Sequence, residues 1–340
     1  MLDRPASPRT RLSTDRLALL TKIARMYHEQ GVRQPEIASR LSMSQSRVSR
    51  FLKEAAQLGI VRTVVVAPSG VHTDVEDELR QRFALTDVVV ADYDGDSEST
   101  LLLALGAAGA AYLETTLTGS DRIGISSWSA TLLATAEAMR PSTISTATDI
   151  VQVIGGVGDP RVQVNATRLT EQFARVTGAT PKFLAAPGIV GSPTVRDALM
   201  QDPFIAELTR EWDALTVLLA GIGSLSPSPL LRESGNAISD SEFDSLRAAG
   251  AVGDVCLRFF DDLGQLITTP LNDRVVGIAS EQLRAVPRVI GIAGGERKVE
   301  AIRAAASGGW IDVLITDLRT ARMIIAEPPA ATRPLTRDRV

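Results

Sequence analysis

The sequence predicts an α/β chain in two parts. A small all-α (winged) N-terminal head is followed by a doubly wound, mostly parallel α/β body. Three observations predict this. Apolar residues recur at helical spacing from Asp15 to about Gly59. Beyond Pro68-Ser69-Gly70, short apolar runs bounded by glycine alternate with helical stretches, the pattern of a parallel sheet. Charge divides at the same place: residues 1–66 hold twelve Lys/Arg against five Asp/Glu, a net of +7, which leaves −11 on the remainder of a chain whose total is −4.

The 340 residues suggest about two domains, and 44% apolar with 22% charged residues excludes a chain disordered throughout. Residues 1–14 are polar and contain proline, and read as disordered. In the head, residues 15–67, Leu17, Leu20, Ile23, Ala24 and Tyr27 mark a first helix that Gly31 interrupts. Ile37, Ala38 and Leu41 mark a second, and Val48, Phe51, Leu52 and Ala55 a third, stopped by Gly59 as a left-handed cap. Ile60 to Val66 is short and β-rich.

The body, residues 68–327, offers Asp87 to Ala91, Arg122 to Ser126, Ile150 to Ile154, Phe183 to Ala186, Leu215 to Ala220, Arg288 to Ala293 and Ile311 to Thr316 as buried strands. Ala130 to Met139, Ala166 to Thr177 and Lys298 to Ala306 read as helices between them, and residues 328–340 as a loose tail. The longest uncharged apolar stretch, Ser99 to Leu113, has 15 residues and is broken by Gly106 and Gly109. A spanning helix needs about 20, so no membrane partner is expected. The N-terminus lacks the apolar core of a secretory signal, and the single cysteine, Cys256, excludes an internal disulfide and a cysteine-based zinc site. Together these predict a cytoplasmic chain.

Gln34 to Leu52 has the spacing of a helix-turn-helix. Ala38 is small where two helices cross, Ser42 takes the turn position where glycine is usual, and Val48 faces the first helix. Ser44 is placed to cap the next helix. That helix would lie in the major groove of double-stranded operator DNA, presenting Ser44, Gln45, Ser46, Arg47, Ser49 and Arg50. Arg62 and Thr63 would form a wing on the backbone. The plainer alternative is a three-helix cap with a polar outer face.

Gln34-Pro-Glu-Ile-Ala, Val48-Ser-Arg-Phe-Leu and Gly59-Ile-Val resemble the N-terminal domain of SorC-family sugar-responsive bacterial transcriptional regulators. The body resembles the same family through Gly124-Ile-Ser-Ser-Trp-Ser-Ala-Thr-Leu, Gly155-Gly, Asn165, Ala186-Pro-Gly, Gly221-Ile-Gly-Ser, Gly250-Ala-Val-Gly-Asp254, Ala293-Gly-Gly-Glu-Arg-Lys-Val-Glu-Ala-Ile302 and Asp312 to Asp317. The ordered set spans about 300 residues. The resemblance implies an effector domain similar in fold to ribose-5-phosphate isomerase and glucosamine-6-phosphate deaminase. It implies a phosphorylated sugar as effector, control of operator affinity by that sugar, and a homodimer or homotetramer; separately, no cofactor and no metal are expected.

The resemblance further implies that Gly253-Asp254 contacts sugar hydroxyls, and that the Ser/Thr loop and Lys298 hold phosphate. The loops themselves suit an anion. Ser126, Ser127, Ser129 and Thr131 sit between a strand and a helix, where hydroxyls and backbone N–H groups meet the positive helix end. Gly294-Gly295 repeats the arrangement with Lys298, one of four lysines, close behind. Gly155, Gly156 and Gly223 complete the expected crevice, with Arg232 as a second anion partner. Asn165 is either a ligand contact or a helix cap, and Asp254 a ligand contact or a loop cap. Ser127-Trp128-Ser129 departs from the shorter turn of relatives, which bears on the identity of the sugar.

A sugar-phosphate isomerase or deaminase with a helical appendage is the alternative. It would need a placed acid and base. The two histidines, His28 and His72, fall in the head and beside the linker, and no P-loop, HExxH or nucleophile-elbow motif occurs. Lys182 could form a Schiff base but reads as a strand-edge charge. A regulator without catalytic activity is therefore expected.

Overall fold

The computed structural model describes residues 14–61, 68, 70–156, 160–226 and 238–327, without the side chains of 160–166. The expected disordered N-terminus before Thr14, the wing residues Arg62 and Thr63, the Asn165 side chain, Arg232 and the tail from 328 lie outside the described residues. The chain divides into two compact units, Met1–Ala67 and Pro68–Val340.

In the first unit, α1 (Thr14–His28), α2 (Gln34–Arg40) and α3 (Gln45–Gln57) enclose one apolar cluster. Leu20, Ile23, Ile37, Val48 and Ala55 are wholly buried in it, with Ala38 and Phe51 nearly so. The small Ala38 and Val48 thus belong to the one cluster that α2 and α3 share. Leu17 and Tyr27, expected on the α1 stripe, are each 38% exposed. Leu20, Ile23 and Ala24 of that stripe are buried as expected, and Met26 joins them in the core.

Helices α2 and α3 end in the same device. Ser42 N–H donates to Ser39 O (3.3 Å) and Met43 N–H to Ala38 O (2.9 Å), while Gly59 N–H donates to Ala56 O (3.0 Å) and Ile60 N–H to Ala55 O (2.9 Å). Each needs one left-handed residue: Gly59 has φ +72° and Ser42 φ +51°. A Cβ is disfavoured there, and a β-branched one most. Ser42→Gly is expected to stabilise the head, and Ser42→Val to destabilise it by about 1–2 kcal/mol. Thermal unfolding checks this; three equal melting temperatures would show that the turn carries no strain.

The second unit is built on β1 (Asp87–Ala91), β2 (Arg122–Ile125), β3 (Asp149–Gln152), β4 (Thr180–Lys182), β5 (Val217–Ala220), β6 (Gly223–Ser224), β7 (Gly253–Val255), β8 (Arg258–Phe260), β9 (Arg288–Ile292) and β10 (Val313–Asp317). Seven form a parallel sheet in the order β1-β10-β9-β5-β2-β3-β4. The other three form a small antiparallel sheet, β6-β7-β8, that the sequence pattern does not predict. Its strands are only two or three residues long, too short to show an alternation.

Both faces of the large sheet are covered. Helix α4 (Thr73–Phe83) precedes β1 and α5 (Glu98–Thr116) follows it, and Val217 and Leu219 of β5 pack with Leu105 and Leu113 of α5. Leu132 of α6 (Ala130–Ala138) and Phe173 of α7 (Pro160–Thr177) join them. Leu218 and Ala220 face the opposite way, toward Leu79 of α4. The shorter α8 (Pro193–Gln201), α9 (Pro203–Arg210), α10 (Asp240–Ala248), α11 (Ser280–Ala285), α12 (Val299–Ser307) and α13 (Leu318–Ala326) follow in sequence. Leu246 of α10, Ala305 of α12 and Ala321 of α13 share the cluster with Leu79.

Two expectations are corrected. Helix α5 runs unbroken through Gly106 and Gly109. These glycines are contact points: a Cβ at Gly106 would lie 2.8 Å from the Ala134 backbone, and one at Gly109 would lie 2.7 Å from Thr135 Oγ1. The fourth strand is Thr180–Lys182, not Phe183 to Ala186. It forms an edge, where Pro181 costs no ladder bond, and the chain then leaves the ladder as Leu184 N–H turns to Gln152 Oε1 at 2.8 Å.

Candidate functional site

From β2 the chain steps through β3 to β4, then returns to β5 beside β2 and steps the other way through β9 to β10. Where the direction reverses, the connections leave the sheet on opposite faces and open a crevice at the carboxyl ends of the strands. That crevice measures about 550 Å³. Its walls are the loops after β1, β2, β5, β9 and β10, and the turn between β7 and β8.

Of the expected effector residues, Ser126, Ser129, Thr131, Gly223, Asp254, Gly294, Gly295 and Lys298 line the crevice. Several hydroxyls are already engaged. Ser129 Oγ caps α6 by accepting from Leu132 N–H at 3.2 Å, and Thr131 Oγ1 donates to Ile292 O at 2.8 Å. Two of the expected residues take structural roles. Ser127 is buried and donates its hydroxyl to Ile154 O at 2.8 Å, so it ties the loop after β2 to the chain that leaves β3. Gly155 and Gly156 are not among the lining residues. Gly155 is crowded by main chain, since a Cβ there would lie 2.3 Å from Pro187 O.

The Gly294-Gly295 turn also has a structural reason. It wraps the buried carboxylate of Asp317: a Cβ on Gly294 would meet Asp317 Oδ2 at 2.2 Å, and Gly295, with φ +93°, donates its N–H to Asp317 Oδ2 (3.0 Å) and to Thr320 Oγ1 (2.7 Å). The Gly295 N–H is therefore committed to the protein and not to an anion. Lys298 closes the turn and precedes α12. It is part-buried, and the loss of hydration pushes its ammonium below the usual lysine range, with Asp254 acting in the opposite sense.

Asp254 stands across from Gly223 on paired strands, and only glycine leaves room for it: a Cβ at Gly223 would lie 1.9 Å from Asp254 Oδ1. Asp254 Oδ2 accepts from Leu257 N–H at 2.9 Å. Burial raises the Asp254 carboxyl from 3.8 to about 6, while the Leu257 N–H and Lys298 pull it down. The turn between β7 and β8 places Cys256 and Leu257 at left-handed φ of 55° and 60°, and both line the crevice. Burial pushes the Cys256 thiol up to about 12, so it is protonated at neutral pH.

Other lining residues escaped the sequence reading. The loop after β1 brings Tyr93, Asp96, Ser97 and Glu98 to the rim. It is tied down by ion pairs: Glu98 with Arg297 at 2.8 Å, Asp94 with Arg322 at 3.2 Å, and Asp96 with Arg319. Arg319 also pairs with Glu296. A run of Asp, Gly and Ser directly after a buried strand was the available signal. Lys182 lies in a different place. It pairs with Asp149 (3.2 Å) and Glu211 (3.1 Å), which hold its amine protonated despite burial, and it is not among the lining residues.

In the head, Ser44 Oγ accepts from Arg47 N–H at 3.3 Å and caps α3 as expected. Gln45, Ser46, Arg47, Ser49 and Arg50 are all exposed, while Val48 between them is buried. The Arg47 guanidinium lies 5.4 Å from the Phe51 ring centroid. Arg16 is held instead by Glu54 through a two-pronged pair at 3.0 and 2.9 Å. The exposed face of α3 is thus polar and cationic.

Comparison with known proteins adds a consistent picture. The Sugar-bind family model, described as “Putative sugar-binding domain”, matches residues 69–326. The chain is similar to the sorbitol operon regulator of Klebsiella pneumoniae, at 32% identity over 92% of this chain and 99% of that protein. It is similar to the deoxyribonucleoside regulator of Bacillus subtilis (strain 168), at 29% identity over 92% of this chain and 99% of that one. The crystal structure of full-length SorC from Klebsiella pneumoniae superposes with a TM-score of 0.70 at 30% identity, over 92% of this chain and all of that chain. Among the described residues, no helix is long and apolar enough to cross a membrane.

Proposed function

The chain belongs to the SorC family of effector-controlled, DNA-binding transcriptional regulators that carry a Sugar-bind domain, and from that premise we propose that its effector is a phosphorylated sugar seated on Lys298 and Asp254. The carrying observation is the crevice at the strand reversal, where a part-buried lysine and a part-buried carboxylate with a raised pKa meet in one cavity. Lysine supplies a point charge for phosphate. A carboxylate with one oxygen tied to Leu257 N–H keeps the other for sugar hydroxyls. Occupancy then biases the oligomer arrangement that sets the spacing of paired recognition helices against operator half-sites. A homodimer or homotetramer meets that requirement.

We read the chain as having no catalytic activity. Lys182 is paired and away from the crevice, the Cys256 thiol is protonated, and His72 Nε2 is 2.8 Å from Asp92 Oδ1, neither residue being among those lining the crevice. Purified protein should retain a promoter fragment at low salt, and one or more pentose or hexose phosphates should raise its melting temperature and change that retention. Neither effect with any of them, or turnover of one, would overturn the reading.

The titration of Asp254 gives a signed prediction. Its folded pKa of about 6 lies above the ordinary 3.8, so the folded protein binds the proton more tightly than the unfolded chain. The stability from this group is fully present below the ordinary value and is lost as pH rises through the folded one. Effector binding runs the other way, because the ionised form is the better acceptor. Affinity should fall between pH 7.5 and 5, more steeply in wild type than in Asp254→Asn, where only the second phosphate ionisation remains. Equal slopes would remove Asp254 from the ligand.

A further inference from the structure

Trp128 follows Ser127 in the loop after β2, lines the crevice, and immediately precedes the Ser129 cap of α6. Its indole nitrogen Nε1 is shielded from solvent and meets no hydrogen-bond partner. The other two tryptophans are satisfied: Trp212 Nε1 donates to Gln152 O at 3.0 Å, and Trp310 Nε1 to Gly264 O at 2.8 Å. Both are almost wholly buried. The indole N–H is therefore unmet only in the tryptophan that forms part of the crevice wall.

An indole nitrogen donates and cannot accept. A cation or a second donor cannot satisfy it, and an apolar ligand would leave it unmet. An unmet buried donor is destabilising, and its retention calls for an explanation. Resting on the reading of the crevice as an effector site, we propose that the Trp128 indole rotates when the effector binds so that Nε1–H, shielded from solvent as the side chain now sits, donates a hydrogen bond to an oxygen of the sugar phosphate, which makes Trp128 a specificity-determining residue. The donor is neutral, directional and held on a short, capped turn, so it selects for the position of an oxygen and not for overall charge. Lys298 attracts the anion, and Trp128 reads where its oxygens fall.

Two measurements on the full chain test this, using whichever of a set of hexose 6-phosphates and pentose 5-phosphates raises the wild-type melting temperature most. Trp128→Phe keeps an aromatic ring and deletes the donor. It should bind that compound about tenfold more weakly, the scale of one neutral hydrogen bond. Its melting without ligand should be no lower than that of wild type, since the deleted donor was unmet, and its retention of promoter DNA should match wild type. In wild type the compound should change the tryptophan emission, because Trp212 and Trp310 are buried and already bonded to main chain; the variant should lose that change. Deoxy analogues and the unphosphorylated sugar identify the oxygen. The one lacking it should bind wild type and Trp128→Phe equally well. Equal affinity of wild type and variant for the intact compound, or an unchanged wild-type emission on binding, would overturn the role of Trp128 and leave the effector site standing. Failure of wild type to bind any of these compounds would overturn both.

Discussion

Lys298→Ala is expected to weaken effector binding on the order of 100-fold and to leave operator binding without effector unchanged. The size follows from what else could hold a phosphate. The chain has four lysines, of which Lys22 and Lys53 belong to the head and Lys182 is spent on Asp149 and Glu211. Two arginines reach the crevice rim, but Arg297 pairs with Glu98, and Arg319 with Asp96 and Glu296. Among the described residues Lys298 is the lining cation without a carboxylate in ion-pair contact. A charge-assisted hydrogen bond of about 1.5–3 kcal/mol would go with it. Lys298→Arg should not restore the response, since a planar fork does not fit where a compact ammonium sits. Lys298→Ala also removes the charge that pulls Asp254 down, so any residual binding there should titrate at higher pH. Calorimetry with the sugar phosphate and promoter retention with and without it give the two readouts. A normal response would place the phosphate elsewhere.

Much of this architecture was legible in the sequence, and the failures have causes. Buried strands such as Arg288–Ile292 and Val313–Asp317 are continuous apolar runs because both faces of the sheet are covered, and such runs stand out. The edge strand Thr180–Lys182 was misplaced because an edge needs few apolar residues and tolerates Pro181, while the apolar residues just after it fill the core. Helix α5 was obscured by its own glycines. Their absence of side chain serves contact with α6, a reason that exists only in three dimensions.

The candidate site divides in the same way. Lys298 could be picked out because a scarce lysine follows a Gly-Gly turn between a strand and a helix, whereas Asp254 and Gly223, on the short strands β7 and β6, stood out through the motifs of the family resemblance. Ser127, Gly155 and Gly156 carry the same signal, yet hydrogen bonding and close main-chain packing turn at least Ser127 and Gly155 to structural use. Loop composition does not distinguish a residue that faces a ligand from one that braces the loop holding it. Trp128 shows the converse. A tryptophan in such a loop looks like core, and only the missing partner of its indole nitrogen separates it from Trp212 and Trp310.

Arg50→Ala and Arg47→Ala are each expected to weaken operator binding by about 1–3 kcal/mol if the side chain reads a base, with effector affinity intact. The two arginines differ in what the fold does with them. Arg47 leans over the Phe51 ring, which fixes its stem, so its loss also removes packing from the head. Arg50 is exposed next to Ser49 on the outward face of α3 and makes no such contact among the described residues. Arg50→Ala should therefore leave thermal stability unchanged, whereas Arg47→Ala should lower it slightly. Salt dependence assigns the contact. A residue that touches only phosphate lowers the slope of log affinity against log salt by about 0.9 when removed, and weakens all sequences alike. A base-reading residue relaxes discrimination at one position instead. Full operator affinity in both variants would mean that the exposed face of α3 is not the surface that meets DNA.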